Sequence, residues 1–201
     1  MVTQAVDLQN NIVFGAANRH PLYFTAKQCG QRLWLTVNVG IGLHVVAAGI
    51  LPGKALRDYS DQMMHEVMQT NFTGQASLIQ RLLPTLLDDA HVLMMSSISG
   101  ERGSFDPIYA ASKAAQIAFV KSMASWLAPK VRFNAIAPAL IEGSTMFDAM
   151  APERRAYHRD QSPTKRLTST SELAGVIVDL CGPAWRNLNG QVIRINGGVH
   201  V

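Results

Sequence analysis

The sequence is poor in features that mark several protein classes. Two cysteines, Cys29 and Cys181, in 201 residues cannot build a disulfide framework and point to a reducing compartment. No apolar run approaches the roughly 20 residues a membrane helix needs. The longest, IGLHVVAAGIL at 41–51, is interrupted by glycine and a histidine, so no membrane association is expected. Charged residues make up 16% of the chain and the net charge is +4. With no Lys/Arg tract interleaved with aromatics, no nucleic-acid partner is expected. The start, MVTQAVDLQNN, lacks a basic stretch followed by an apolar one. No secretory signal is therefore expected, and a cytoplasmic location is.

Several motifs are near misses. Gly49-Ile-Leu-Pro-Gly53-Lys54-Ala55 has three residues between its glycines and alanine after the lysine, where a phosphate loop needs four and Ser/Thr. His65-Glu66-Val67-Met68-Gln69 lacks the second histidine of a zinc-protease helix, and the six histidines are scattered, so no metal site is expected. Ser97-Ile98-Ser99-Gly100 lacks the leading glycine of a hydrolase nucleophile elbow. Asn71-Phe72-Thr73 is a glycosylation sequon by spelling only.

What is present is an alternation of apolar strands and helical segments. Strands are expected at 11–15, 32–37, 43–48, 91–97, 131–137 and 191–196. Pro21 and Gly30 bracket an expected helix over 21–29. Ser60 caps a long helix to about Leu87, an alanine-rich helix is expected over 109–127, and a further helix over 171–180. A polar, basic loop is expected over 142–168. Continuous apolar strands alternating with helices imply one domain over 1–201, a Rossmann-like three-layer parallel sheet with helices on both faces. One joint is too short. Asn38 to Gly42 offers five residues, spanning at most ~17 Å, where a parallel crossover needs about a dozen or more. Either these strands are antiparallel neighbours, or the second is short and the link is stretched across the sheet.

One constellation carries chemistry. Tyr109-Ala-Ala-Ser-Lys113 places a phenol and an ammonium at i and i+4, on one helix face. Tyrosine, with a pKa of about 10, is a poor base at neutral pH. A nearby cation favours the phenolate, and reaching about 7 requires roughly 4 kcal/mol of differential stabilisation. Ser97 ends a strand twelve residues earlier, on the sheet edge where ligands bind. It can donate to a substrate oxygen while Tyr109 gives or takes the proton. By itself such a pair is more often an ordinary surface pair on a helix. The serine-ended strand upstream shifts the balance toward chemistry.

MMSSISG (94–100), YAASK (109–113), VRFNAIAPALI (131–141) and GQVIRINGG (190–198) together resemble the short-chain dehydrogenase/reductase family. LHVVAAGI (43–50) resembles the family's Asn-Asn-Ala-Gly strand, and MQTNFTG (68–74) the helix that carries its asparagine. The resemblance covers nearly the whole chain from residue 43, with the motifs in family order. It implies a catalytic tetrad of Asn71, Ser97, Tyr109 and Lys113. In it Tyr109 is the acid/base, Ser97 orients the carbonyl, and Lys113 lowers the tyrosine's pKa and holds the nicotinamide ribose. Asn71 steadies a water that relays protons to Lys113. The implied reaction is hydride transfer between NAD(P)(H) and a carbonyl/alcohol pair. The implied cofactor contacts are Gly15, Asn18, Arg19, Ala48, Gly49, Tyr109, Lys113, Pro138, Ile141 and Thr145. A homodimer or homotetramer through helices 60–87 and 109–127 is also implied.

The chain also departs from the family. Members usually run to about 250 residues, and the helix–strand–helix segment after the second strand, part of the adenine pocket, is missing at the short joint. The second strand ends in Thr36-Val37-Asn38, with no acid for a ribose hydroxyl. Aligned on Gly15, the later loop glycines fall near Arg19 and Pro21, which weakens the backbone cradle for a pyrophosphate. The spelling FGAANRHPL is nearer the divergent enoyl-reductase branch. Arg19 and His20 can meet a 2′-phosphate, which slightly favours NADP. Around 142–168, Met146, Phe147, Met150 and Tyr157 are apolar candidates for a substrate loop. Arg154, Arg155, Arg159, Lys165 and Arg166 there face only Glu153 and Asp160, consistent with an anionic substrate or a merely solvated loop. The expected function is a carbonyl/alcohol oxidoreductase with weakened cofactor binding. The alternatives are a cofactor-independent acid/base enzyme (lyase, isomerase or epoxide chemistry) and a non-catalytic oligomer partner.

Overall fold

In the computed structural model, residues 22–29, 32–39 and 42–201 are described, the side chains from 42 onward. The strand expected at 11–15 lies outside the described residues. A six-stranded sheet runs in the order β1-β2-β3-β4-β5-β8. Its strands are β1 (Leu22–Cys29), β2 (Arg32–Val39), β3 (Leu43–Val46), β4 (Ala90–Met95), β5 (Val131–Pro138) and β8 (Val192–Ile195). β3, β4, β5 and β8 pair in parallel. Between β5 and β8 lie two short strands, β6 (Ile141–Glu142) and β7 (Thr168–Ser169), which pair with each other.

The short joint resolves as antiparallel pairing, with Val39 opposite Leu43 and Thr36 opposite Val46. The expected helix over 21–29 is overturned: Leu22–Cys29 is a strand, paired residue for residue with Arg32–Val39. The physical reason is legible afterwards. Tyr23, Phe24 and Thr25 favour strands. Only Gly30-Gln31 separates Cys29 from Arg32, a Gly-first spelling suited to a two-residue hairpin. A proline at the start and a glycine at the end gave the helix signal, and cross-strand pairing outweighs it.

Period-two alternation sorts side chains to the two faces of the parallel strands. Val46, Val92, Met94, Phe133 and Ala135 pack on one face with Ile79 and Val120. Those two come from α2 (Gly74–Leu82) and α4 (Pro107–Leu127). Leu43, Val45, Leu93 and Ile136 pack on the other face with Leu173 and Leu180. Leu173 belongs to α7 (Thr170–Asp179), opened by a reciprocal Ser169–Glu172 capping box.

The expected helix from Ser60 forms in pieces. Ser60 caps α1 (Asp61–Met68) by accepting from Met63 N–H. A π-helical turn, Gln69–Thr73, links α1 to α2, and a 3₁₀ turn through Pro84 closes the run at Thr85. The basic segment 142–168 is not a loop, as expected, but holds α5 (Thr145–Asp148) and α6 (Pro152–Gln161). Ser144 caps the first, and Pro152 sits at the start of the second, where its missing N–H costs nothing. No helix among the described residues is long and apolar enough to cross a membrane.

Candidate active site

The site lies past the carboxyl ends of the parallel strands, the edge where open α/β sheets bind ligands. Ser97 follows β4, Gly49 follows β3, and Ala139 and Leu140 follow β5. A short helix, α3 (Ser99–Arg102), then leads into α4. Asp106 caps α4, accepting from Tyr109 N–H at 2.9 Å, and Pro107 sits at its first position. This brings Tyr109 and Lys113, one turn apart, under the end of β4.

Ser97 lies close enough to the Tyr109 phenol to act on its pKa. The Lys113 ammonium lies 5.8 Å from the Tyr109 ring centroid and donates to the Met95 carbonyl at 2.7 Å. Lys113 is only 3% exposed. Burial therefore lowers its pKa from 10.5 to about 7. Lys113 was expected to lower the pKa of Tyr109, and the net direction at the phenol is set by other groups. Burial holds the phenol above its ordinary value; Ser97 lowers it and the Asp106 charge raises it again. The ammonium sits by the ring, and its own charge is opposed by burial, so the neutral phenol is the resident form.

Asn71 is wholly buried in the π-helical turn. Its Oδ1 accepts from Ile50 N–H at 2.8 Å, and its Nδ2 donates to the Ile50 carbonyl at 3.0 Å and to Ser112 Oγ at 3.0 Å. The side chain thus clamps the loop after β3 to α4. The Asn71 carbonyl accepts from Gln116 Nε2, which also donates to Gln75 Oε1, each at 2.7 Å. Gln75 Nε2 in turn donates to the Ala48 carbonyl at 2.6 Å. This buried relay holds the π-helical turn against the strand end, a placement common at functional sites.

Asp106 was missed by sequence reasoning. Besides capping α4, its carboxylate accepts from the N–H groups of Gly53 and Lys54 and from the Tyr59 hydroxyl. It ties the loop after β3 to the helix that carries Tyr109. The Asp106-Pro107 pair is a helix-start signal visible in the sequence. Gln75 and Gln116 carry no such signal.

Of the expected cofactor contacts, Gly15, Asn18 and Arg19 lie outside the described residues. Gly49 is beside Lys113 and Asn71: a Cβ added there would lie 3.6 Å from Lys113 Nζ and 3.7 Å from Asn71 Oδ1. Ala48 and Pro138 are buried strand-end residues. Ile141 is in β6, and Thr145 opens α5 on the surface. A cavity of about 810 Å³ opens onto Ser97 and Tyr109. Met146, Met150 and Tyr157 line it as expected. Phe147 does not; it packs under the Arg155 guanidinium, 4.6 Å away.

Fold and site together define a Rossmann-like α/β protein with a Ser–Tyr–Lys centre at its strand ends. A family model described as enoyl-(acyl carrier protein) reductase matches residues 37–200. The 3-oxoacyl-(acyl-carrier-protein) reductase FabG of Aquifex aeolicus is 33% identical over 164 residues, which cover 80% of this chain and 66% of the relative. The uncharacterized oxidoreductase YmfI of Bacillus subtilis is 30% identical, with 72% and 61% covered. A crystal structure of a Brucella melitensis protein described as short-chain dehydrogenase/reductase SDR:Glucose/ribitol dehydrogenase superposes with a TM-score of 0.74 at 32% identity, covering 78% of this chain and 65% of that one. The chain belongs to the short-chain dehydrogenase/reductase superfamily. It spans slightly less than two thirds of the length of these relatives.

Proposed function

We propose that the protein is an NAD(P)(H)-dependent oxidoreductase that interconverts a carbonyl and an alcohol, with NADP slightly favoured and the nucleotide bound weakly. The observation that carries this reading is the neighbouring Ser97 and Tyr109, both lining one cavity, beside a buried, undercommitted lysine. Lys113 has three N–H donors, and the Met95 carbonyl takes one. Among the described residues nothing else is bonded to its ammonium. A buried cation with two free donors fits a ribose diol, and Gly49 lies beside it. A bound nicotinamide supplies or accepts the hydride. Ser97 holds the carbonyl oxygen, and Tyr109 transfers its proton to that oxygen in reduction and recovers it in oxidation. A phenol held above its ordinary pKa is protonated at neutral pH, the form from which reduction starts. Asn71 acts as a positioning residue, since its side chain is committed to Ile50 and Ser112.

The adenosine half gives the reason for weak binding. The helix whose N-terminus was expected to meet the pyrophosphate is replaced by the strand Leu22–Cys29, which offers no helix-end N–H groups or dipole to an anion. The same observation favours one second reading, cofactor-independent acid/base chemistry on the same residues. The test is turnover of a panel of ketones and aldehydes with NADPH or NADH by purified protein, beside Tyr109→Phe. Turnover should fall by about 10²–10⁴-fold in the variant. Activity that needs no nucleotide yet is lost in Tyr109→Phe would establish the second reading. Equal turnover by both proteins would refute both. We further propose one domain over residues 1–201 and self-association through the helices at 61–85 and 107–127.

A further inference from the structure

The cavity that reaches Tyr109 also carries basic groups. Its lining includes Arg102 from α3, Arg154 and His158 from α6, and Arg166 beyond α6. Arg166 is paired with Glu172 at 2.5 Å. Neighbouring arginines are committed too: Arg155 donates to the Met150 and Asp148 carbonyls, and Arg159 pairs with Glu142 at 3.1 Å. Arg102 and Arg154 have no carboxylate or carbonyl partner among the described residues, although they come from two different elements. Both lie near enough to His158 to lower its pKa together with burial. Among the described residues the single carboxylate in the lining is Asp106, whose oxygens already accept from Gly53, Lys54, Tyr59 and Tyr109. The same lining also holds apolar side chains, Leu51, Phe105, Leu140, Met146 and Met150 among them.

We propose that Arg102, Arg154 and His158 form an anion-binding subsite, and that the substrate is a carbonyl compound or alcohol that also carries a carboxylate or phosphate. The inference rests on the oxidoreductase reading for the carbonyl group, while the anionic group follows from the cations alone. Guanidinium groups from two walls suit a planar carboxylate or a phosphate. Both are exposed, so salt screens their pull.

The test reads binding without nucleotide and without turnover. Levulinate and methyl levulinate share a carbon skeleton and a ketone but differ in charge. Dihydroxyacetone phosphate beside dihydroxyacetone is the phosphate counterpart. Each is titrated into the full chain while the His158 ring protons are followed by NMR. The charged member of at least one pair should bind about tenfold more tightly than its neutral mate. That advantage should shrink several-fold in Arg102→Gln and in Arg154→Gln, and with added salt. Comparing the two pairs identifies carboxylate or phosphate as the preferred group. Equal affinity of charged and neutral mates in both pairs overturns the inference, as does a charge preference that survives both substitutions. Should the protein reduce no carbonyl, the oxidoreductase reading fails, and the His158 titration still decides the subsite.

Discussion

Lys113 makes the site and weakens the fold, which sets up a measurable opposition. Its ammonium is buried with one protein hydrogen bond, to the Met95 carbonyl. The gap between an ordinary 10.5 and about 7 corresponds to about 5 kcal/mol against the charged form. Lys113→Met keeps the length and apolar stem of the side chain and removes that cost. It also strips the Met95 carbonyl of its donor, a loss of about 1–3 kcal/mol. The net expectation is a gain of about 2–4 kcal/mol near neutral pH, or about 5–10 °C in melting temperature for a chain of this size. The pH dependence has a definite sign. Below about 7 Lys113 is charged in both states and the full penalty stands. Between about 7 and 10.5 the unfolded chain holds a proton that the native state has released. Wild-type stability from this group therefore rises with pH across that window. The variant lacks the term, so its advantage narrows as pH rises and is gone near the upper end. Thermal melts followed by circular dichroism at about pH 6.5, 8 and 9.5 test this window. A variant that melts at or below wild type near pH 6.5 refutes the reasoning, as does an advantage that stays constant with pH. Turnover should be lost in the variant throughout.

Two further substitutions probe how the site is held. Asp106→Ala removes the α4 cap and the acceptor for Gly53, Lys54 and Tyr59; a stability loss of about 2–4 kcal/mol is expected as a fall in urea midpoint. Gly100→Ala would place a Cβ 2.6 Å from the Lys113 carbonyl carbon and 2.8 Å from Ala114 N. Those are backbone atoms that cannot rotate aside, so a loss of about 2–3 kcal/mol is expected by denaturant unfolding.

What could be read from the sequence divides by the range of the forces involved. Parallel strands with continuous apolar runs were legible because each side chain meets a helix layer, whatever its neighbours. Ser97, Tyr109 and Lys113 were legible because one helical turn and one strand end bring them together. Leu22–Cys29 was misread because its end signals favour a helix while its partner, Arg32–Val39, decides the outcome. The bridge of Asn71, Gln116, Gln75 and Ala48 was hidden for a related reason: its members lie up to 68 residues apart, from 48 to 116. The tyrosine's proton affinity was hidden as well, because burial of Tyr109 and Lys113 is a property of the packed site and not of their spacing.

Among the described residues, the hydrogen bonds that frame Tyr109 and Lys113 come from residues 48–138. Ser96 Oγ donates to the Lys113 carbonyl at 3.0 Å, Ile98 N–H to the Pro138 carbonyl at 3.2 Å, and the Asn71 and Asp106 clamps close the rest. The two ends of nucleotide recognition can therefore be measured apart. Under the proposed function, the nicotinamide end of the nucleotide meets the site around Tyr109 and Lys113, while the adenosine end falls on the side where a strand replaces the expected helix. Reduced nicotinamide mononucleotide should then bind within about tenfold of NADPH, and ADP-ribose should compete poorly with either. Isothermal titration or saturation-transfer NMR with the three compounds gives the comparison. An adenosine fragment that binds nearly as well as NADPH, with the mononucleotide far weaker, would show that the N-terminal segment holds the nucleotide after all. The strand at Leu22–Cys29 would then be no obstacle to cofactor capture.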